Sequence, residues 1–200
     1  MIGLATFSQV IRLIEPVMAG ARPSLDLPHW MAGLGLGFEV EPLGLLFALV
    51  ASGLWILTSV YGFGYMRGHH EKNQTRFFTC FALAISAALG IAFAGDLVTL
   101  FLFYEILTFS TFPLVTHAGT EAAVKAGRLY LGILVSTSVL FLLLAILWTS
   151  TLADTLQFTP GGILDGRIEG HSAVLLLMLF AYGVGKAALM PFHRWLPAAM

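Results

Sequence analysis

Charged residues are scarce in this sequence. They make up 10% of the 200 residues, whereas soluble proteins carry about 25%. Hydrophobic residues reach 58%, which excludes an ordinary soluble domain. The net charge of −1 leaves no basic surface of the kind that binds nucleic acid, so we expect no nucleic-acid partner. The single cysteine, Cys80, excludes both an internal disulfide and a cysteine-based metal cluster.

The charged residues gather in short breaks between long apolar stretches. A helix that rises about 1.5 Å per residue needs roughly 20 residues to cross the bilayer core. Barrel strands would be about half as long and would alternate polar with apolar residues. Five stretches satisfy the helical criterion: Leu43–Tyr65, Phe77–Ala94, Leu97–His117, Leu129–Trp148 and Ala173 to about Trp195. The sequence therefore predicts an all-α, polytopic bundle of helices in a lipid bilayer.

A further apolar stretch, Ile2–Ala19, precedes these five and differs from them. Its polar residues Ser8, Arg12 and Glu15 recur at helical spacing, so they form one stripe on an otherwise apolar helix. It has neither the basic start nor the cleavage site of a signal peptide. Two interpretations stay open: a helix in the membrane interface, or the end of a span that begins earlier.

The segment 21–42 is rich in proline and glycine, which predicts a connecting loop with a short hairpin around residues 33–42. We therefore divide the chain into 1–42, a partial or interfacial helix plus a loop, and 43–200, a five-helix transmembrane region. The sequence stops at WLPAAM, within one turn of a proline. We accordingly expect a fragment that is incomplete at its C-terminus.

Basic residues in short loops predict the orientation of the bundle. Loops 66–76 and 119–128 lie on one side if each intervening stretch crosses the membrane. They carry five Lys and Arg residues against two, Arg22 and Arg167, on the other side. The five are Arg67, Lys72, Arg76, Lys125 and Arg128. Both loops are therefore predicted to be cytoplasmic, in an inner or plasma membrane of bacterial type.

Two ionisable residues lie well inside predicted spans. Glu105 is near the centre of the third and Lys186 near the centre of the fifth, at a cost of about 2.5–3.5 kcal/mol each. Such groups commonly mark ion or proton paths. Loss of water favours a neutral lysine and a nearby carboxylate favours a charged one, so a change in their separation would switch proton affinity. The alternatives are a structural ion pair, or a lysine that reaches the interface.

Helix-breaking residues flank both charges. Pro113 and Pro191 each leave the carbonyl four residues earlier without its usual donor. Gly183 and Gly185 directly precede Lys186. Interrupted helices beside a buried charge are typical of transporters, so we expect a broken helix near Lys186.

Other polar residues are candidates for supporting roles. Thr108 shares a helix face with Glu105 and is placed to donate to its carboxylate or to hold a water. Lys125 opens the fourth span, either as a relay site from the cytoplasm or as an anchor at the membrane surface. His193 follows a predicted break and is a candidate proton carrier near neutral pH, whereas His117 is expected to make an interfacial hydrogen bond. Asp96 is expected to cap a helix.

The segment GVGKAALMPFHRWLPAAM resembles the core of the antiporter-like, proton-conducting membrane subunits of respiratory complex I, membrane-bound hydrogenases and Mrp-type Na⁺/H⁺ antiporters. FEVEPLGLLFALV, GDLVTLFLFYEILTFSTFPLV and EAAVKAGRLYLG agree with the same family in order and spacing. The residues around Lys186 are most similar to the D-type proteins of Mrp antiporters and to the hydrogenase-type relatives. Glu41 departs from the pattern, since relatives usually have an aspartate there.

The resemblance implies about fourteen helices in two inverted repeats, of which this chain is part of the first. It implies that Glu105 modulates Lys186, that Lys125 relays protons, and that His193 has an auxiliary role. Thr108, Pro113 and Pro191 would support them.

We therefore expect an ion-translocating subunit, without a cofactor and without catalysis of its own. It would move protons, and possibly Na⁺, inside a complex of membrane subunits. The alternatives are a redox-driven proton pump subunit of complex I or of a hydrogenase, and a structural or assembly subunit.

Overall fold

The structure, a computed structural model, describes residues 2–31, 34–153 and 155–199. Its helices are α1 (Ile2–Arg12), α2 (Ile14–Met18), α3 (Pro42–Gly68), α4 (Gln74–Ala92), α5 (Leu97–Val115), α6 (Glu121–Thr137), α7 (Leu144–Leu152), α8 (Gly170–Gly183) and α9 (Trp195–Ala199). A π-helical turn, Ser138–Leu143, joins α6 to α7. Strands β1 (Ser24–Met31) and β2 (Leu34–Glu39) form an antiparallel pair.

Four helical segments within the described ranges are long and apolar enough to cross a membrane. They are α3, α4, α5 and the continuous rod Glu121–Leu152 that α6, the π-turn and α7 form. The predicted helical membrane bundle is thereby confirmed. The rod is longer than the predicted Leu129–Trp148, because Thr120 caps it by accepting a hydrogen bond from the backbone N–H of Ala123 (3.2 Å).

The fifth predicted span is not one continuous helix. The 14-residue helix α8 ends at Gly183, and a short 3₁₀ turn, Gly185–Ala187, follows. The predicted break near Lys186 is confirmed. The break follows from Gly183, Gly185 and Pro191, none of which favours a continuing helix.

The N-terminal stretch packs along the first span. Val10 of α1 and Val17 of α2 are buried in one apolar cluster with Leu45 and Ala48 of α3. The cluster holds residues 2–18 against the bundle through close van der Waals packing, which is a main source of helix association in lipid. The division of the chain at residue 42 stays a prediction.

The hairpin expected near residues 33–42 is present and longer than predicted. Ser24 pairs with Glu39 and Leu27 with Leu36, while residues 32–33 between the strands lie outside the described residues. The guanidinium of Arg22 donates to Glu39 (3.3 Å) and to Glu41 (3.0 Å), which holds the entry to the hairpin beside the start of α3.

Asp96 fixes this hairpin to the first turn of α5. One carboxylate oxygen accepts from the backbone N–H of Thr99 (2.7 Å), so Asp96 caps α5 as predicted. The other accepts from the hydroxyl of Thr99 (2.6 Å) and from the backbone N–H of Gly37 in β2 (3.0 Å). Asp96 and Thr99 are both buried, which makes this polar junction costly to break.

The opposite end of the bundle carries the basic loops. A cavity there is lined both by the α3–α4 loop and by the α5–α6 loop. The two loops that carry most of the basic residues therefore lie at the same end. Which membrane side they face stays a prediction.

Replacing Asp96 by Ala removes the cap of α5 and leaves two buried donors without an acceptor. We expect the free energy of unfolding to fall by about 1–3 kcal/mol, seen as a lower melting temperature in detergent. Asp165→Ala, at an exposed aspartate, is the matched control. Equal melting temperatures for the two variants would contradict the junction.

Candidate functional site: a lysine at a helix break

The break after α8 frees backbone groups that need new partners. The backbone N–H of Lys186 donates to the phenolic oxygen of Tyr104 on α5 (3.0 Å). The carbonyl of Gly185 accepts from the indole nitrogen of Trp195 (3.0 Å). Since hydrocarbon offers no water to such groups, these two side chains make the break tolerable at membrane depth.

Within the described residues, the hydrogen bonds of the Lys186 ammonium go to neutral groups. Its Nζ donates to the backbone carbonyl of Tyr104 (3.0 Å) and to the hydroxyl of Thr108 (2.5 Å). Nζ also lies 3.3 Å from the centroid of the Tyr104 ring, a cation–π arrangement. Tyr104 thus binds the backbone and the side chain of Lys186 together. Tyr104 and Thr108 are 5% and 0% exposed, so solvent competes little for these contacts.

The binding groups lie on one stripe of α5. Tyr104, Thr108 and Thr111 are spaced by four and three residues, which places them on one helix face. Thr111 shares a hydrogen bond of 2.6 Å with the phenol of Tyr130 on α6. The ring of Tyr130 in turn packs edge-on against Trp195 (5.5 Å between centroids). The stripe therefore links the lysine to α6 and to the segment after the break.

Glu105 lies beside this stripe and does not touch the lysine. Its Oε1 is buried and has no hydrogen-bond partner in the part of the chain that the structure describes. No ion pair within 4.0 Å joins it to Lys186, although both residues are described. The hydroxyl of Thr108 donates to the carbonyl of Tyr104 (3.0 Å) rather than to this carboxylate. The interaction expected between Thr108 and Glu105 is thus replaced by one with Lys186.

Two glycines let the broken segment approach the rod. A Cβ on Gly183 would lie 2.5 Å from the backbone nitrogen of Leu142, within the π-helical turn. A Cβ on Gly185 would collide with the hydroxyl of Thr137, next to that turn. The glycines that break the helix in the sequence are therefore also the residues that allow this close packing.

The other predicted site residues are not gathered at the lysine. Lys125 is exposed on the second turn of α6, and His193 is exposed in the 3₁₀ turn Phe192–Arg194. Pro113 lies inside α5, and Pro191 lies in the segment between the two 3₁₀ turns. Within the described ranges, no three His, Cys, Asp or Glu side chains are grouped to hold a metal ion.

Sequence reasoning missed Tyr104 and Trp195. A signal for Tyr104 was available, because a phenol and a threonine four residues apart are polar groups on one face of an apolar helix. Trp195 was part of the motif that carried the resemblance, but nothing in the sequence indicated that its indole would bind Gly185.

Replacing Tyr104 by Phe keeps the ring and removes the acceptor for the Lys186 backbone N–H. We expect the amide of Lys186 to exchange with deuterium about fivefold faster, since a lost buried hydrogen bond costs on the order of 1 kcal/mol. Tyr182→Phe, at an exposed tyrosine of α8, is the control. Unchanged exchange in Tyr104→Phe would show that the phenol does not hold the break.

Two family models match parts of this chain. Residues 94–200 match the family model described as NADH:quinone oxidoreductase/Mrp antiporter, transmembrane. Residues 30–78 match the model for the N-terminus of NADH-ubiquinone oxidoreductase (complex I) chain 5.

Curated relatives include subunits of two kinds of complex. Subunit N of the NADH-quinone oxidoreductase of Desulforudis audaxviator is 30% identical over 196 residues, covering 96% of this chain and 38% of that protein. Subunit A1 of the Na⁺/H⁺ antiporter of Staphylococcus aureus is 29% identical over 212 residues, covering 98% and 25%. The chain thus spans between a quarter and two fifths of the length of these relatives.

Solved structures share the fold. The archaeal membrane-bound sulfane sulfur reductase matches with a TM-score of 0.85 at 22% identity, over 99% of this chain and 40% of that one. Complex I from Thermus thermophilus matches at 0.80 and 20% identity, over 98% and 40%. The Mrp complex from a Dietzia species matches at 0.75 and 18% identity, over 99% and 37%. With more than half of its residues matched by one family model, this chain belongs to the transmembrane family of NADH:quinone oxidoreductases and Mrp antiporters.

Proposed function

We propose that this chain is an ion-translocating membrane subunit that moves protons through Glu105 and Lys186. One observation carries the proposal: the ammonium of Lys186 donates to neutral oxygens of Tyr104 and Thr108 on α5. Oε1 of Glu105, the residue after Tyr104, is buried and has no hydrogen-bond partner among the described residues. A structural ion pair would join the two charges. Here no ion pair within 4.0 Å joins the two described residues, so each is open to the other as a second partner.

The chemistry follows from the exchange of partners. A buried ammonium beside a carboxylate is favoured over the neutral amine, whereas the carbonyl of Tyr104 and the hydroxyl of Thr108 give it much weaker support. Movement of Nζ from these oxygens towards Glu105 would therefore strengthen its hold on a proton, and movement back would release the proton. The break gives Lys186 the freedom for this movement, because its backbone is not part of a continuous helix.

Tyr104 acts in this proposal as a positioning residue. Its phenol holds the backbone of Lys186 while its carbonyl and ring hold the ammonium, so the lysine has a defined resting place. Lys125, exposed on the second turn of α6, is assigned the relay between the loop end and this site, and His193 an auxiliary role after the break. Pro113 and Pro191 would keep the backbone near both charges irregular.

We place the chain in a complex with other membrane subunits, as an antiporter that exchanges monovalent cations, Na⁺ above all, for protons. The relatives named above are subunits of two kinds of complex, one of them a Na⁺/H⁺ antiporter, and the matching family model includes Mrp antiporters. By the distribution of basic residues, loops 66–76 and 119–128 face the cytoplasm of a bacterial-type inner membrane. The chain would need no cofactor, and no reaction is assigned to it alone.

Glu105→Gln and Lys186→Met remove the two titrating groups without large changes in size. We expect proton movement in membrane vesicles, followed with a pH-sensitive dye, to fall to the level of vesicles without the protein. Glu169→Gln, at an exposed glutamate before α8, is the control and should keep full transport.

Assembly is measured on the same membranes by native electrophoresis. Lost transport with an intact complex supports the proposal. Intact transport with a dispersed complex would favour a structural subunit instead.

A second candidate is a proton pump driven by quinone reduction or by a hydrogenase. The 30% identity to subunit N of an NADH-quinone oxidoreductase favours it. The two functions differ in what drives the protons. Proton movement that follows an imposed Na⁺ gradient without an electron donor would identify the antiporter, and movement only during NADH or hydrogen oxidation would identify the pump.

A further inference from the structure

A second group of titratable residues lies at the loop end of the bundle, away from Lys186. The α3–α4 loop, the end of α5 and the start of α6 enclose a cavity of about 530 Å³. His117, two residues after the end of α5, forms part of its wall, and Glu71 lies across from it. The proposed function uses neither residue.

The imidazole of His117 lacks hydrogen bonds to the described residues. Both ring nitrogens are buried and have no hydrogen-bond partner among the described residues. The nearest charge is the carboxylate of Glu71, whose Oε2 lies 3.9 Å from Nε2 of His117. Phe77 packs edge-on against the ring at 5.2 Å between centroids and offers no acceptor. Buried polar atoms without partners are uncommon, so this arrangement calls for a reason.

The other ionisable residues that line the cavity with Glu71 and His117 are basic. Lys72 and Arg76 line the cavity and would oppose a positive imidazole, and so would His69 and His70 when protonated. The helix α6 contributes the uncharged Val124 to the described lining. Glu71 is therefore the acidic group in this lining that favours a charged His117.

The neighbouring histidines have other surroundings. Nδ1 of His69 lies 3.0 Å from the carbonyl of Tyr65, and its ring stacks on the Tyr65 ring. His70 is exposed on the loop. Among the three, His117 alone has both nitrogens buried and unbonded in the described structure.

We propose that His117 is a proton-binding site loaded from this cavity, with Glu71 as the group that balances its charge. In the described state the pair stands 3.9 Å apart, slightly beyond hydrogen-bond distance, and protonation of the imidazole would draw the half-exposed carboxylate of Glu71 onto Nε2. Binding of the proton rests on the geometry of the cavity. Its use in transport rests on the proposed function.

The histidine follows the end of α5, and the groups that bind Lys186 lie on the same helix. Nine residues separate His117 from Thr108, which corresponds to about 14 Å along α5. The hydroxyls of Thr116 and Thr111 lie between them, with Pro113 in the same stretch. The separation excludes direct transfer, so His117 would load protons at the loop end rather than exchange them with Lys186 itself.

The test uses the full chain in lipid nanodiscs with ¹⁵N-labelled histidine, and the His117 signal is assigned from His117→Gln. We expect the ¹⁵N signals of His117 to change with pH as its imidazole binds a proton. Glu71→Gln should move its midpoint to lower pH by about one unit, because the neighbouring anion is lost. Glu121→Gln, at an exposed glutamate in the first turn of α6, should leave the midpoint unchanged. A silent His117, or equal midpoints in the two glutamate variants, would overturn the proposal.

Transport by His117→Gln separates this inference from the proposed function. Slower proton uptake in His117→Gln, with Lys186→Met inactive, supports a loading role. Normal uptake in His117→Gln would overturn that role, even if the histidine titrates. Full activity of both Lys186→Met and Glu105→Gln would overturn the proposed function, while the histidine titration would still report on the cavity.

Discussion

A helix that breaks inside hydrocarbon must find new partners for its backbone, and the site around Lys186 is built on this requirement. Tyr104 supplies the acceptor for one freed N–H, and Trp195 supplies the donor for one freed carbonyl. Both partners also connect the break to its surroundings, Tyr104 through α5 and Trp195 through the ring of Tyr130. The groups that stabilise the interruption therefore also determine where the lysine side chain lies.

Around Lys186, the groups that position the ammonium differ from the group that most strongly favours its protonation. Carbonyl and hydroxyl oxygens accept hydrogen bonds from an ammonium but add no opposite charge, so they fix its position and favour the protonated form less than a carboxylate does. A carboxylate strengthens proton binding wherever the ammonium reaches it. Tyr104, Thr108 and Glu105 place both kinds of group within five residues of one helix. Because both kinds of group lie within five residues of α5, the proposed proton binding at Lys186 needs few ionisable residues.

Sequence reasoning found the helices, the two buried charges and the break, because hydropathy, cost of burial and glycine–proline chemistry are local properties. It could not find the partners. Spacing placed the hydroxyl of Thr108 on the same helix face as Glu105, but its bond to Lys186 joins residues 78 positions apart. The cap at Asp96 was predictable from its position before α5, whereas its bond to Gly37 depends on a hairpin from another part of the chain. Residue spacing indicates which face of a helix carries a side chain. Its partner on another helix depends on how the two helices pack.

The junction at Asp96 also limits how α5 can move. Tyr104 and Glu105 point about 100° apart around the helix axis, so turning α5 by that angle would exchange one for the other beneath Lys186. Such a turn would tear the first helical turn from Gly37 and leave buried donors and acceptors unpaired. The hydrogen bonds of Asp96 and Thr99 therefore oppose this rotation at the N-terminal end of α5. In the proposed exchange of partners, Lys186 and the broken segment that carries it would move, while α5 stays fixed.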